Sequence, residues 1–222
     1  MKTEKMIKTA RSYLQLLNEI IERKKEVEML LQLFTCLRLD DNYHLALKDV
    51  GLSGIGNNSW LYSYKGNSFK DYSCDKAFDT EKWPDDFIKQ SYEIFAHLIV
   101  KKTDTGAWQA YLLSIASTLL PAFWHGQYNN RKYLFSEEDV ESIPPFFHNF
   151  PIPDLSDFKD EELLKPSVWI KDDVAHVSCC YWNYWKGVVR ETILFLFDGD
   201  RIISGQRIKD RILFKYNCPI DL

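Results

Sequence analysis

Residues 105–126, TGAWQAYLLSIASTLLPAFWHG, decide how this chain is organised. Between Ala107 and Trp124, thirteen of eighteen residues are Ala, Leu, Ile, Phe, Tyr or Trp, and they fall on every side of a helical wheel. A helix of that kind is buried nearly all round. The run is long enough to raise a membrane span. Gln109, Ser114, Ser117, Thr118 and Pro121 argue against one, since each would need satisfying in lipid, and the flanks lack a strong Lys/Arg asymmetry. The spacing therefore predicts a buried core helix. Thr103, Asp104 and Thr105 offer N-cap oxygens, Pro121 predicts a kink in the last turns, and Gly126 predicts the C-terminal stop.

Working outward, Pro84 suits the first turn of a preceding helix over 84–102, with Phe87, Ile88, Ser91, Ile94, Phe95, Leu98 and Ile99 on its buried face. The short link to the central run predicts an antiparallel helical hairpin. Further upstream, Met6, Ala10, Tyr13, Leu17, Ile20, Val27, Leu31 and Phe34 recur at steps of three and four. They predict one amphipathic helix over 4–34. Its seam packs on its own domain or, alternatively, makes a homodimer contact. Between these helices, 42–50 is read as a short helix stopped by Gly51. Residues 59–64, SWLYSY, alternate like a strand with a partner near 68–72.

Downstream, 136–142 carries a capping signature, with Ser136 three residues before Asp139. The stretch PPFFHNFPIP, 144–153, forbids regular structure. Beyond 166 the pattern turns to strands: 168–171, 174–182, 188–197, 201–204 and 207–216. Asp198-Gly199 is a strong hairpin signal, and short separators throughout predict an antiparallel meander. The fold class is α+β: N-terminal helices including a buried central hairpin, then a C-terminal antiparallel sheet packed on them. The portions are 1–143, mainly helical; 144–166, a Pro-rich acidic connector; and 167–222, the sheet, together forming one compact domain. The same order of elements allows a cone in which helices 84–102 and 105–126 cradle the curved sheet.

Composition narrows the function. Aromatic residues make up 15% of the chain, enough large side chains for a substantial core. A net charge of −4 argues against general nucleic-acid binding. The polar, charged start at 1–11 has no signal-peptide core, so a cytoplasmic location is expected. Five cysteines (Cys36, Cys74, Cys179, Cys180, Cys218) without CxxC spacing read as reduced thiols rather than a disulfide framework.

Motifs of known chemistry are missing. None of the five histidines has HExxH or HxH spacing, so no metal site and no cofactor are expected. GxSxG, P-loop and GxGxxG are absent, and no Asp/Glu spacing singles out an acid/base pair. Charge is instead segregated. Residues 137–173 hold eleven acids and three bases, whereas 201–222 hold five bases and two acids, with Arg207, Lys209, Arg211 and Lys215 expected on one strand face.

These features favour a non-enzymatic cytoplasmic protein that binds a protein partner, one form of which is an immunity-type protein neutralising a toxin. No nucleic-acid or membrane partner is expected. The binding candidates are Glu137, Glu138, Asp139 and Glu141, with the exposed aromatics Tyr184 and Trp185 as anchors. The alternative is an enzyme or small-ligand protein with a pocket between sheet and helices, lined by His125, His176, Cys180 and Tyr181.

Overall fold

The structure is a computed structural model that describes residues 2–23, 27–51, 57–65, 95–119, 131–143 and 161–216. The architecture is α+β, with helices preceding an antiparallel sheet.

Helix α1 (Thr3–Arg23) buries the expected stripe of Met6, Ala10, Tyr13, Leu17 and Ile20. Full burial of such a side chain stabilises by about 1.5–3 kcal/mol. The helix is not continuous to residue 34. Val27 and Glu28 form a turn, α2 (Met29–Gln32) is a single turn, and Phe34 lies beyond it. Val27 and Phe34 are still buried in the same core, but between them it is Leu30 that is fully buried, while the expected Leu31 is only partly so.

The next expectation fails. Residues 42–50 are not a helix: β2 (Tyr43–Gly51) pairs with β3 (Asn57–Lys65) along nine register positions. The expected partner at 68–72 lies outside the described residues. Asn42, at φ 66°, turns the chain into β2, and Leu45 and Leu61 anchor the ribbon in the core.

The helical hairpin also needs correction. Residues 84–94 lie outside the described residues, and the proposed first arm does not reach 102. Instead β4 (Leu98–Val100) pairs with β1 (Leu37–Leu39). Leu98 and Val100 are fully buried, so a short apolar run with a helical period is satisfied as strand.

Helix α3 (Asp104–Leu119) is the expected core helix. The Thr103 hydroxyl caps it by accepting from the Gly106 N–H at 3.1 Å. Residues 106–113 are all buried, and Trp108 donates its ring N–H to the Met6 carbonyl at 3.1 Å, fastening α1 to α3. Buried Gln109 is satisfied by accepting from the Cys36 N–H at 2.8 Å and donating to the Thr35 hydroxyl. Pro121 and Gly126, with the expected kink and stop, lie outside the described residues. Among the described residues no helix is long and apolar enough to cross a membrane.

Strand β5 (Lys132–Leu134), helix α4 (Glu137–Glu141) and helix α5 (Glu161–Leu164) lead into the main sheet. That sheet is built on the long hairpin of β7 (Val174–Asn183) and β8 (Gly187–Asp198). Each central strand shares its other edge between two short strands. Strand β6 (Ser167–Lys171) and β5 divide β7; β9 (Arg201–Arg207) and β10 (Arg211–Lys215) divide β8. The expected break at Gly205-Gln206 is absent, because β9 continues through it. The interruption falls at 208–210, so the basic residues of 207–215 are split between β9, a connector and β10 rather than forming one stripe.

Alternation along β7 sends Ala175, Val177, Cys179 and Tyr181 to the core that contains α1 and α3. Cys180 and Trp182 face the other way, into a smaller cluster with Leu134, Val140, Ile143 and Leu164.

Candidate functional site

The strand that carries the chemistry is β8. Glu191 alternates with Val189, Ile193 and Phe195 on its inward, apolar face, and it is 1% exposed. A carboxylate there is costly unless paired. Three donors meet it. The Tyr111 hydroxyl of α3 donates to Oε1 at 2.7 Å, Arg131 reaches Oε2 at 3.0 Å, and Arg207 of β9 reaches the same oxygen at 2.8 Å. The Arg131 guanidinium also stacks over the Tyr181 ring at 4.5 Å. Tyr181 in turn donates to Asp210 at 3.4 Å, and Asp210 pairs with Lys186 at 2.9 Å. One chain of contacts thus runs from the buried helix to the connector between β9 and β10.

The electrostatics follow from burial. Desolvation, helped by Cys179 and Glu191, holds the Tyr111 hydroxyl well above its ordinary pKa. Burial likewise raises Tyr133 and Cys179 and pushes Tyr181 up to about 12. Burial opposes charge on Arg131, but the adjacent Glu191 overrides it and raises the guanidinium's pKa. At neutral pH every phenol and thiol here keeps its proton, so the cluster offers neither a phenolate nor a thiolate nucleophile. What Glu191 does is fix two arginines in place, one of them at a surface.

That surface is a groove of about 760 Å³ along β9. Arg201 and Arg207 stand at the two ends of the strand, with Ile203, Gly205 and Gln206 between them and Phe95 opposite. Both arginines are held from behind. Arg207 rests on Glu191. Arg201 makes a two-pronged contact to Asp40 at 2.9 and 2.5 Å and reaches the Ala96 carbonyl. The Arg201 hydrogen bonds keep the Asp40 carboxyl below its usual range. Phe95 packs against Phe195 at 5.6 Å and is itself buried, while Ile203 is 58% exposed.

Strand β9 is an edge. The bond from the Ile208 N–H to the Thr192 carbonyl fixes the alternation. Leu194–Gln206 and Leu196–Ser204 are then the pairs that exchange bonds, and the backbone groups of Gly205 and Arg207 point away from β8. No described residue hydrogen-bonds to them from that side. Near its start the edge is covered, since the Val100 N–H donates to the Asp200 carbonyl.

The residues expected from the sequence fall elsewhere. Glu137, Glu138 and Glu141 are exposed on α4. Asp139 is consumed by the fold: it accepts from the Phe135 and Ser136 N–H groups as part of a capping box, and pairs with Arg11 at 3.2 Å. Tyr184 and Trp185 occupy the β7–β8 turn, half-buried, with Tyr184 edge-on to Trp182.

The three pocket candidates among the described residues do not converge. Tyr181 faces the space between sheet and α3. His176 lies on the opposite face, stacked on Trp169 at 3.5 Å. Cys180 is also on that face, where its thiol donates to the Leu163 carbonyl at 3.0 Å and burial pushes its pKa up to about 11. His125 lies outside the described residues. Among the described residues no three His, Cys, Asp or Glu side chains gather as a metal-ligand set.

Sequence reasoning missed Glu191, Arg131, Arg201 and Asp40. One signal was present: a lone acid on the inward period of the most apolar strand must find cationic partners. Comparison with protein-family models, curated proteins and solved structures finds no match to this chain.

Proposed function

We propose that this chain is a non-enzymatic, cytoplasmic protein-binding protein that engages its partner along β9. The observation that carries the reading is the edge at Gly205 and Arg207, to which no described residue hydrogen-bonds, beside a groove bounded by two anchored arginines. Exposed strand edges are ready templates for another chain, and a large apolar side chain such as Ile203 suits an interface better than solvent. The raised thiol and phenol pKa values around Glu191, and the three donors already on that carboxylate, favour a positioning role over catalysis. The free thiols of Cys36, Cys179 and Cys180 suit a reducing compartment. An immunity-type protein that occludes a toxin is one form of this role. In that form the exposed acids Glu137, Glu138 and Glu141 supply a second contact surface, complementary to a basic toxin.

A benzophenone side chain placed at position 203 tests this in native lysate. Under the proposal it captures one protein in stoichiometric amount, competed by excess unlabelled chain, while the same probe at exposed Glu162 does not. Capture from neither site, or equal capture from both, overturns the groove as the binding surface.

A second reading, a small-ligand protein or enzyme, draws on the polar cluster between sheet and α3. There the buried hydroxyls of Tyr13 and Tyr133 make no hydrogen bond of normal geometry among the described residues. A metabolite-library thermal-shift screen with hits abolished by Tyr133→Phe would favour it.

A further inference from the structure

We infer that the β9 groove takes an acidic peptide in extended form, added to the main sheet as a further strand. This rests on the protein-binding reading above and specifies the partner's chemistry. Three observations carry it.

The first is backbone geometry. Gly205 and Arg207 direct an N–H and a carbonyl each to the side away from β8, where no described residue bonds them, at the two-residue spacing an added strand requires. Gly205 has no side chain to hold that strand away, and the groove beside it gives the room.

The second is charge. Arg201 and Arg207, paired with Asp40 and Glu191, flank the edge, and exposed Lys209 and Arg211 follow it on either side of Asp210, which is itself paired with Lys186. Arg207 spends one terminal nitrogen on Glu191 and is still about a third exposed, so it keeps donors for a carboxylate on the incoming strand. Glu191 prevents that guanidinium from swinging away, which lowers the ordering cost of binding.

The third is what the edge disfavours. A second copy pairing antiparallel about Gly205 would set Arg201 opposite Lys209 and Arg207 opposite Ile203. Like charges so placed are destabilising. A single-stranded nucleic acid would want aromatic platforms. Phe95, the one aromatic among the described residues lining the groove, is 2% exposed.

The probes are fluorescent peptides of about nine residues, long enough to span β9: one alternating valine with glutamate, one alternating valine with lysine. Binding to the full chain is read by anisotropy. The glutamate peptide is expected to bind at least about ten-fold more tightly, a difference of roughly 1.4 kcal/mol, and to weaken with added salt. N-methylation of alternate amides on one edge of the peptide is expected to abolish binding, and on the other edge to leave it intact. Arg207→Gln and, independently of Glu191, the pair Lys209→Glu with Arg211→Glu are each expected to reduce the preference, with the fold checked by circular dichroism.

Equal binding of the two peptides, or indifference to N-methylation on both edges, overturns the inference. So does a concentration-dependent dimer abolished by Gly205→Pro, which assigns the edge to a second copy. Tighter binding of an oligothymidylate than of the glutamate peptide also overturns it. If no peptide binds while the probe at position 203 still captures one partner, the acidic-strand inference fails and the protein-binding reading stands.

Discussion

Tyr111, on the buried helix α3, donates a 2.7 Å hydrogen bond to Glu191, whose other oxygen is held by Arg131 and Arg207. This contact connects the buried helix α3 to the strand edge that borders the groove. Glu191→Ala removes the acceptor and strands two cations, one of them mostly buried. Breaking a buried pair in this way costs about 3–5 kcal/mol. Tyr111→Phe removes one donor of three and is expected to cost about 1–3 kcal/mol. Urea midpoints of the two variants should fall in that order. Equal midpoints would show that the hydroxyl, rather than the arginines, holds the carboxylate.

Gly187 opens β8 at φ 90°, and a Cβ there would sit 2.1 Å from the Phe214 carbonyl oxygen and 2.6 Å from the Tyr216 nitrogen. Both neighbours are backbone of the β10 segment, which cannot turn aside as a side chain would. Gly187→Ala is therefore expected to destabilise by at least about 2 kcal/mol. Hydrogen exchange should show lost protection first at 211–215. Gly199, also at positive φ, has nothing near its missing Cβ. Gly199→Ala should show the backbone strain alone and leave β10 protected.

Trp108 is fully buried and its ring N–H bonds the Met6 carbonyl at 3.1 Å. Trp108→Phe removes the donor that ties α3 to the α1 backbone and opens a small cavity. A loss of about 2–4 kcal/mol is expected from the two effects together. Amide exchange should accelerate at the start of α1 before it accelerates in the sheet.

Acid should weaken the Asp40 anchor. Arg201 holds the Asp40 carboxyl below its usual range, so the folded chain binds this proton less readily than the unfolded chain. The stabilisation is complete above the ordinary carboxylate value of about 3.9. It is lost as pH falls through the lower folded value. Between neutral pH and pH 3, the denaturant midpoint of the native chain should fall more steeply than that of Asp40→Asn. Parallel profiles would place the acid sensitivity elsewhere.

Much of the fold was legible because it depends on local period. The stripe from Met6 to Ile20, the all-round apolarity of 107–116, the Ser136–Asp139 box and the Asp198-Gly199 turn are each written within a few neighbouring residues. Misreadings occurred where local preference was weak and a partner decided. Leu98-Ile99-Val100 fits a helical face until Leu37-Arg38-Leu39 lies beside it, and 43–51 becomes strand because 57–65 pairs with it. Long-range pairing of this kind leaves no period for the sequence to display.

The candidate site was hidden for the same reason. Asp40 and Arg201 are 161 residues apart, and Tyr111 and Glu191 are 80 apart. No spacing rule connects them, because the sheet register brings them together. By itself the sequence determined the class of the fold, the buried helix and the segregation of charge, since hydrophobic period and composition act through near neighbours. The tertiary structure alone decided which acid is buried, which arginines it holds and which strand is left as an edge. Those outcomes depend on burial and pairing, and both exist only once distant segments have met.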